Sequence, residues 1–437
     1  MNTITIDCGA SFIKGAVFEN NNVVKTIQKK SPTANKNSDI TKPYQINSLL
    51  SLFFETLEEL SLNLDSFILC VSNEMHGFII ADEEMNPVTD YVSWQKEFGN
   101  LVVDGVSSND YLKASQKENI LRTGMPLRSG LPSVNLCYLI RNKILDRSNL
   151  YFFTLGDYLI ARLSRLIPNC HPTNAAATGL YDLLNNCWNE QLIKCICEEK
   201  NIIFPKIGHK VLTFKYNGKD VACYPAIGDQ QAALLGSSFL HSDELSFNLG
   251  TGAQVSVLIE QKENVAFSDS YQIRPYFFGK YIKTIPHIPS GRAANVFVRF
   301  FESVINKFGY DVSEEDVWDR ILSSQGDGSL EMSLSFFENA VDNNKVGYIG
   351  SIEESSLTFD EVSVSLLKQM AVNYINVSKR ITTKGDVKKI VFSGGISRRI
   401  KAIRELILKE YPVDYYVAEN ETLTGLYKYS LIEQANI

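Results

Sequence analysis

The chain contains one local pattern twice: a strand, a glycine-containing turn with a hydroxyl residue, and a second strand. The first copy is TITIDCGASFIKGAVFENNNVVKTIQ, which begins at residue 3, and the second is DELSFNLGTGAQVSVLIEQKENV, residues 243–265. Apolar residues that alternate on both sides of a turn predict a β-hairpin. Two halves that begin in the same way indicate a duplicated domain, whose second half starts near residue 242.

The remaining segments alternate between strand and helix patterns. Apolar residues recur at helical spacing from Ile46 to Leu60, and FILCVSN then indicates a buried strand. Residues 360–377 indicate another helix. The segment VKKIVFSGGISRRIKAIRELILKEY indicates a strand, a Gly-Gly pair and one amphipathic helix that carries Ile400 and Ile403. A chain of 437 residues is too long for one ordinary core, so we predict an α/β protein of two domains.

Charge and composition exclude several classes of partner. A net charge of −7 gives no overall attraction to nucleic acid or to an anionic membrane. The start, MNTITIDCGA, lacks the pattern of a signal peptide, and no apolar run is long enough to span a bilayer. The eight cysteines are scattered, which indicates reduced thiols and a cytoplasmic protein. The five histidines form no HxH or HExxH motif, so we expect no metal site made of protein ligands alone.

The stretch YPAIGDQQAALLGSSF, residues 224–239, places Asp229 directly before an apolar run of small residues. An Asp at a helix N-terminus can cap free backbone N–H groups, and it interacts favourably with the helix dipole. Small residues would also let the helix pack close to another backbone, with its acid facing a cleft. The residues alone leave both interpretations open.

Three glycine-containing turns are candidates for binding a nucleotide. Backbone N–H groups in such turns hold phosphates, helped by hydroxyls and by a divalent cation on a carboxylate. Asp7 precedes one turn, Thr251 lies in a second, and Gly394 and Gly395 form a third, where adenine could approach the backbone. Each turn alone is also typical of an ordinary hairpin or helix start. Together, the first two favour a clamp that holds one phosphate chain from both sides.

Five segments resemble the FGGY family of carbohydrate kinases, and they occur in the family's order: IDCGASFIK, EMHGFIIADEEMNPVTDYVSWQ, GDQQAALLGSSF, NLGTGAQVSVL and VFSGGISRR. The resemblance runs from about residue 3 to about residue 430. Within the family, TGMPLRSGLPSVNLCYLI, PSGRAANVFVRFF and SLSFFENAVDNNKVGYIGSI are most similar to the sedoheptulokinase branch.

The resemblance implies a fold and an activity. The family has the duplicated actin-like ATPase fold (ribonuclease H-like), an α/β fold of two domains with a cleft between them. We expect an N-terminal domain over residues 1–241, which carries the sugar site, the first phosphate turn and the catalytic Asp, and an ATP-binding C-terminal domain over residues 242–437. The implied reaction is phosphorylation of a sugar by ATP with Mg²⁺.

The resemblance also implies a role for each candidate residue. Asp229 is the general base that accepts the proton of the sugar hydroxyl as it attacks the γ-phosphorus of ATP. The implied ligands of Mg²⁺ are Asp7 and Asp229. The implied contacts to ATP are Gly9, Ser11, Lys14, Thr251, Gly252, Gly394 and Gly395. The implied contacts to the sugar are Met75, His76, Trp94, Gln95, Asp229 and Arg292.

Several of these residues have a structural interpretation as well. Lys14 has the pattern of a solvated charge on a strand, and Arg292 that of a surface salt bridge. Trp94 is equally typical of core packing, and His76 of a structural histidine with satisfied hydrogen bonds.

The chain departs from the family pattern at three positions. Glu74 stands where the family usually has Gln, and Lys96 stands where it usually has Asp after the Trp-Gln pair. Ala10 replaces a common Thr in the first phosphate turn. An ionised carboxylate only accepts hydrogen bonds, whereas an amide also donates them, so the first change alters the expected sugar site. Asp7, Asp229 and the glycine turns are retained.

The sequence therefore favours a kinase that converts sedoheptulose to sedoheptulose 7-phosphate. A kinase for xylulose or for another ketose or polyol is an alternative. An alternative of another class is a sugar- or nucleotide-binding protein of the same fold that has lost turnover. The expected partner is a small-molecule sugar, with no nucleic acid and no membrane, and the sequence leaves open whether the chain forms a homodimer.

Overall fold

A computed structural model describes residues 2–32, 39–147, 149–198, 200–342, 345–419 and 421–435. The strands are β1 (Thr3–Cys8), β2 (Phe12–Glu19), β3 (Asn22–Lys30), β4 (Ser66–Asn73), β5 (Phe78–Ala81), β6 (Val102–Val103), β7 (Val106–Ser107), β8 (Leu150–Thr154), β9 (Tyr181–Asp182), β10 (Cys187–Trp188), β11 (Ile202–Ile203), β12 (Leu212–Tyr216), β13 (Lys219–Cys223), β14 (Ile227–Gly228), β15 (Glu244–Leu249), β16 (Gly252–Ile259), β17 (Gln272–Pro275), β18 (Tyr281–Pro289), β19 (Glu331–Ser333), β20 (Tyr348–Gly350), β21 (Lys389–Ser393) and β22 (Asp414–Val417).

The α-helices of the same residues complete a mixed α/β fold, as predicted. They are α1 (Tyr44–Ser61), α2 (Ser108–Ser115), α3 (Lys117–Leu121), α4 (Pro132–Arg141), α5 (Leu155–Ser164), α6 (Pro172–Ala177), α7 (Glu190–Cys197), α8 (Asp229–Gly236), α9 (Gly291–Lys307), α10 (Glu314–Ser323), α11 (Phe359–Ser378), α12 (Gly395–Arg399), α13 (Lys401–Glu410) and α14 (Glu421–Ala435). Within the described part of the chain, no helix is both long and hydrophobic enough to cross a lipid bilayer.

The chain folds into two compact units. The first contains Met1–Ser238, Gln261–Tyr281 and Asn420–Ile437, and the second contains Phe239–Glu260 and Ile282–Glu419. Two late segments thus join the compact unit that holds most of residues 1–241. The segment with α14 joins it because this helix packs directly against α8. A single domain boundary in the sequence would separate these two helices.

The sheet of the first unit has the strand order β12-β13-β4-β1-β2-β3, and β14 also pairs with β4. The predicted hairpin is confirmed, because β1 and β2 pair antiparallel. Strands β1, β13 and β14 run parallel to β4. β4 therefore lies in the interior of the sheet, and from Phe67 to Asn73 its residues are buried. This burial on both faces explains why its sequence is nearly continuous in apolar residues.

Helix α1 covers one face of this sheet. It spans the segment predicted from helical spacing, and Ile46, Phe53 and Leu57 on its apolar side are fully buried. These residues share one hydrophobic core with Ile4 and Ile6 of β1. The 3.6-residue period of the sequence was sufficient to identify this helix because its apolar face packs on the sheet.

The second unit repeats the arrangement of hairpin and parallel strand. Its sheet contains β18-β16-β15-β21-β22 in that order. β15 and β16 form the second predicted hairpin, and β21 lies parallel to β15. The helix predicted over residues 360–377 is α11.

The single helix predicted after Gly394-Gly395 is instead two helices. Ile400 separates α12 from α13 with φ −107° and ψ 90°, which is not helical, while its side chain is buried. Arg404 donates hydrogen bonds to the carbonyls of Ser397 and Arg398 at the end of α12. These bonds satisfy carbonyls that an unbroken helix would have paired internally. The apolar spacing of the sequence continues across the break because Ile400 is buried although it is not helical.

Helices α8 and α14 approach each other closely at two glycines. A Cβ atom on Gly236 would lie 1.7 Å from the carbonyl oxygen of Glu421, and one on Gly425 would lie 1.8 Å from that of Ala232. Lys428 of α14 donates hydrogen bonds to the carbonyls of Leu235 and Gly236, at 3.2 and 3.0 Å. The small residues of the GDQQAALLGSSF stretch therefore serve backbone-to-backbone packing, as one of the two sequence interpretations proposed.

We expect Gly236→Ala to destabilise the protein by about 1–3 kcal/mol, because the added methyl group forces α8 and α14 apart. Thermal unfolding followed by circular dichroism measures the effect. Gly385→Ala is the matched control, since its Cβ atom would meet no heavy atom within 4 Å. Equal melting temperatures for the two variants would contradict the close packing.

Candidate active site

Three carboxylates lie at the ends of three neighbouring parallel strands in the first unit. Asp7 is near the end of β1, Glu74 directly follows β4, and Asp229 directly follows β14. In the strand registers, Asp7 lies opposite Ser72 and Gly228 lies opposite Asn73. Carboxyl ends of parallel strands meet at one edge of a sheet, which is where ligands of open α/β sheets bind. The topology thus brings together three acids that are far apart in the sequence.

Asp229 is the first residue of α8, and Gly228 occupies the N-cap position. The Asp229 carboxylate accepts a hydrogen bond from the backbone N–H of Gln230 at 2.7 Å. The N–H of Gly228 donates to Thr173 Oγ1 at 3.1 Å. Asp229 therefore satisfies one free helix N–H, as the capping interpretation predicts, but it does so from the first helical position.

Burial raises the pKa values of all three acids. Burial is the main cause at Asp229, and the charges of Asp7 and Glu74 add to it, so that its pKa rises to about 7. Burial raises the pKa of Asp7 to about 6 and that of Glu74 to about 7. Loss of hydration is thus the largest effect on the ionisation of Asp229, although the residue lies at a helix N-terminus.

Asp7 and Asp229 have the chemistry of a magnesium site. Mg²⁺ prefers hard oxygen ligands, and two buried carboxylates that repel each other are stabilised by a divalent cation between them. Ser72 Oγ donates to Oδ1 of Asp7 at 2.8 Å, which fixes that carboxylate and leaves its second oxygen for another ligand. The predicted donor set therefore fits the ion.

Arg274 of β17 is a buried cation that the sequence analysis did not identify. Its Nε donates to Gln272 Oε1 at 3.0 Å, and one of its terminal nitrogens donates to Gln230 Oε1. Burial lowers its pKa to about 9, and the charge of Asp229 opposes this shift. The guanidinium stays protonated at neutral pH beside the acids. The available signal was a charged residue inside an apolar strand, in the segment QIRP.

His76 and Met75 hold Arg274 in place. His76 Nδ1 lies 2.7 Å from the carbonyl oxygen of Ala177, so Nδ1–H donates there and Nε2 accepts from Arg274 Nη2 at 3.2 Å. The Sδ atom of Met75 lies 3.6 Å from Arg274 Nη1. His76 has φ 67°, an unusual conformation for a residue other than glycine, and such residues cluster at functional sites.

Trp94 and Gln95 are half-buried in the same unit. The Trp94 side chain hydrogen-bonds to Glu74. This bond lowers the pKa of Glu74 and so offsets part of the rise that burial causes. Lys96, which departs from the family pattern, is only 4 % exposed, and burial lowers its pKa while the charge of Asp90 opposes the shift.

The residues predicted to contact phosphate in the first unit form the β1–β2 turn. Gly9 N–H donates to the carbonyl of Phe12 at 3.1 Å, and Ser31 Oγ donates to the carbonyl of Gly9. Ser11 and Lys14 are exposed. Lys14 lies opposite Asp7 on β2, and its charge lowers the pKa of that acid. The turn is thus both an ordinary hairpin and an exposed surface beside Asp7.

The remaining candidates belong to the second unit. Thr251 and Gly252 are exposed at the start of β16, and the Thr251 carbonyl accepts from the N–H of Arg292 at 2.8 Å. The Arg292 guanidinium lies 4.4 Å from the centre of the Phe337 ring. Its assignment to the sugar stays a prediction.

The two glycines after β21 differ in their surroundings. Gly394 has φ 87°, and a Cβ atom there would lie 2.4 Å from the Leu249 carbonyl oxygen, so the position requires glycine. Gly395 is exposed, and a Cβ atom there would meet no heavy atom within 4 Å. Open space at Gly395 suits the predicted approach of a flat ligand.

Asp229→Asn is expected to gain stability relative to the wild type as the pH rises. The folded-state pKa of about 7 lies above the ordinary aspartate pKa of 3.8, so ionisation of Asp229 destabilises the wild type progressively between about pH 4 and pH 7. Without Mg²⁺, the melting-temperature difference, variant minus wild type, should be larger at pH 8 than at pH 5. The exposed Asp311→Asn serves as control. The same difference at both pH values would show that Asp229 is ionised throughout.

Residues 2–236 match the family model described as "FGGY family of carbohydrate kinases, N-terminal domain". A probable glycerol kinase of Caenorhabditis elegans is 27% identical over 219 residues, which cover 47% of this chain and 42% of that protein. A glycerol kinase of Mycoplasma genitalium is 23% identical over 286 residues, covering 60% of this chain and 55% of that protein. The aligned segment thus spans about half the length of these relatives.

Solved structures show the same fold over the whole chain. A ligand-bound xylulose kinase from Lactobacillus acidophilus has a TM-score of 0.81 at 17% identity, with 100% of this chain and 89% of that chain covered. A Plasmodium falciparum glycerol kinase with ADP has a TM-score of 0.78 at 16% identity, with coverage of 100% and 90%. The predicted two-domain, actin-like α/β fold is confirmed. Since the family model matches more than half of the sequence, the chain belongs to the FGGY family of carbohydrate kinases.

Proposed function

We propose that this protein transfers the γ-phosphoryl group of ATP to a hydroxyl of a sugar, with Asp229 as the general base. The observation that carries the proposal is the half-buried carboxylate of Asp229 at a strand end beside Asp7 and Glu74, where loss of hydration raises its pKa to about 7. A general base works best when its pKa is near the working pH, because it is then ionised in part and still accepts a proton readily. Asp229 would accept the proton of the attacking hydroxyl.

The neighbouring acid supports phosphoryl transfer. Asp7 and Asp229 would hold Mg²⁺, which neutralises phosphate charge when bound. Ser72 orients Asp7 by its hydrogen bond of 2.8 Å. The nucleotide would be bound by the residues that the family resemblance implies, which are Gly9, Ser11, Lys14, Thr251, Gly252, Gly394 and Gly395.

The polar groups around Arg274 support a polyhydroxylated substrate. Arg274 supplies fixed N–H donors, Glu74 supplies acceptors, and Trp94 supplies an apolar face. A sugar bound in a small site needs such convergent donors and acceptors with an apolar wall. Met75, His76 and Gln95 complete the predicted sugar site, with His76 acting as a positioning residue for Arg274.

We infer sedoheptulose, phosphorylated at its terminal hydroxyl to the 7-phosphate, as the first substrate to test. This choice rests on the three sequence segments that resemble the sedoheptulokinase branch. Xylulose and glycerol are the next candidates, because the similar proteins described above carry those names.

A panel of sugars tests the substrate. ADP release from Mg-ATP is measured with sedoheptulose, xylulose, ribulose, fructose, glycerol and no sugar. Strong release with sedoheptulose supports the proposal, and strong release with another member names a different substrate for the same activity. Bound ATP without release for any member would favour the binding protein that has lost turnover.

Asp229→Asn should lower kcat by about 10²–10⁴-fold while ATP binding is retained, because an amide cannot accept the proton. Wild-type kcat/KM should rise with pH through about 7, as Asp229 loses its proton. Initial rates measured from about pH 5.5 to about pH 9 test both effects. The control is Asp311→Asn, whose rates should equal those of the wild type. An active Asp229→Asn protein would refute the assignment of the base.

Arg274→Lys should raise KM for the sugar at least about tenfold and leave KM for ATP nearly unchanged, because an ammonium group cannot reproduce the fixed fork of the guanidinium. Retention of the positive charge limits the effect on folding, which the melting temperature checks. The same kinetics on Arg292→Gln test the sequence prediction that Arg292 contacts the sugar. An unchanged sugar KM in Arg274→Lys would remove Arg274 from the sugar site.

A further inference from the structure

Three residues with metal-binding side chains converge away from the three carboxylates of the candidate active site. His171 precedes α6, His209 lies in the loop between β11 and β12, and Glu433 lies near the end of α14. One nitrogen of each histidine and one oxygen of Glu433 all lie within 4.8 Å of one another. All three residues belong to the first compact unit.

His171 carries a buried nitrogen that lacks a hydrogen-bond partner among the described residues. The residue is 3 % exposed, and its Nε2 is one of the buried polar atoms that remain unsatisfied. Its Nδ1 lies 2.8 Å from Thr173 Oγ1. A buried polar atom without a partner costs free energy, so the fold retains a cost that a ligand on Nε2 would remove. Because Thr173 contacts Nδ1, Nε2 is the nitrogen of this histidine that is available to a ligand.

The other two groups already have nearly the spacing of metal ligands. His209 Nδ1 and Glu433 Oε1 are 3.1 Å apart. Two ligands on a tetrahedral Zn²⁺ with bonds of about 2.0–2.1 Å lie about 3.3 Å apart. The rings of His171 and His209 meet edge to face, with centres 4.6 Å apart and an angle of 83°. The ligand atoms of all three residues lie within 4.8 Å of one another, so adjustment of the half-exposed His209 side chain would suffice to close the site on an ion.

The backbone holds the two histidines together. The N–H of Cys170 donates to the carbonyl of Lys206 at 2.9 Å, and the N–H of Gly208 donates to the carbonyl of Cys170 at 3.1 Å. His171 directly follows Cys170, and His209 directly follows Gly208. The site is therefore preorganised on its histidine side.

We propose that His171 Nε2, His209 and Glu433 bind Zn²⁺, with water in the fourth position. Two imidazoles and a carboxylate are ligands that Zn²⁺ accepts in proteins. In the structure Nδ1 of His171 accepts from the backbone N–H of Thr173 at 3.3 Å, so Nε2 carries the ring proton. Zinc would displace that proton, and Nδ1, once protonated, would donate to Thr173 Oγ1, an outer contact of the kind that fixes the tautomer of metal-binding histidines. No local motif predicted this site, because its ligands come from three separate segments.

The ion would fasten α14 to the two loops that carry the histidines. Thr173 Oγ1, which would accept from His171 Nδ1, also accepts from the N–H of Gly228. Helix α14 packs on α8, which begins with Asp229. Zinc would thus stabilise Thr173 and α14, which both support the start of α8, without contacting Asp229 itself.

Zinc binding by the full chain tests the proposal independently of any enzymatic activity. The protein is treated with EDTA, transferred to chelator-free buffer with a reducing agent, and titrated with ZnCl₂ against a chromophoric chelator. All proteins carry Cys187→Ser, because this exposed thiol could bind zinc by itself. We expect one equivalent of zinc bound at micromolar or lower concentration, with a higher melting temperature.

His209→Ala and Glu433→Gln should weaken zinc binding at least about tenfold and abolish the thermal shift, because each removes one of three protein ligands. His241→Ala, an exposed histidine elsewhere in the chain, should bind as the parent protein does. His209 is half-exposed, so its variant is expected to fold, and circular dichroism checks this. Absence of zinc binding in the parent, or equal affinity in His209→Ala and His241→Ala, would overturn the site.

Discussion

The loss of hydration of three carboxylates at the ends of three parallel strands is the constraint on which the rest of the candidate site depends. Each acid loses hydration, and the charges of Asp7 and Glu74 raise the cost of ionising Asp229 further. A site of this kind requires a compensating cation, and Arg274 supplies one within the same unit. Removal of either charge would leave the other poorly compensated, so Asp229 and Arg274 depend on each other electrostatically.

Close helix packing fixes the position of the central acid. Asp229 begins α8, and the path of α8 is set by α14 through contacts that only glycine permits at Gly236 and Gly425. Helix α14 therefore supports a residue that lies about two hundred positions earlier in the sequence. Because protein interiors are tightly packed, a single added methyl group at this contact would disturb the position of Asp229. Stability and the candidate chemistry are coupled through this contact.

The sequence predicted the hairpins, the helix α1, the buried strand β4 and the helix α11, because each has an apolar period that its packing preserves. It failed at Ile400, where a buried side chain keeps the helical spacing although the backbone leaves the helix. It identified Asp7 and Asp229 as candidates through turns and family resemblance. It missed Arg274, although a charge inside the segment QIRP was a local signal, because the partners that hold this arginine come from distant segments.

By itself the sequence determined the α/β class, the two hairpins and, through ordered local motifs, the family to which the chain belongs. Each of these follows from interactions between residues close in the chain. Only the tertiary structure decided that Asp7, Glu74 and Asp229 share one environment, that His76 orients Arg274, and that His171, His209 and Glu433 meet. The pKa of Asp229 likewise depends on burial and on distant charges, which strand pairing and helix packing create and no sequence window contains.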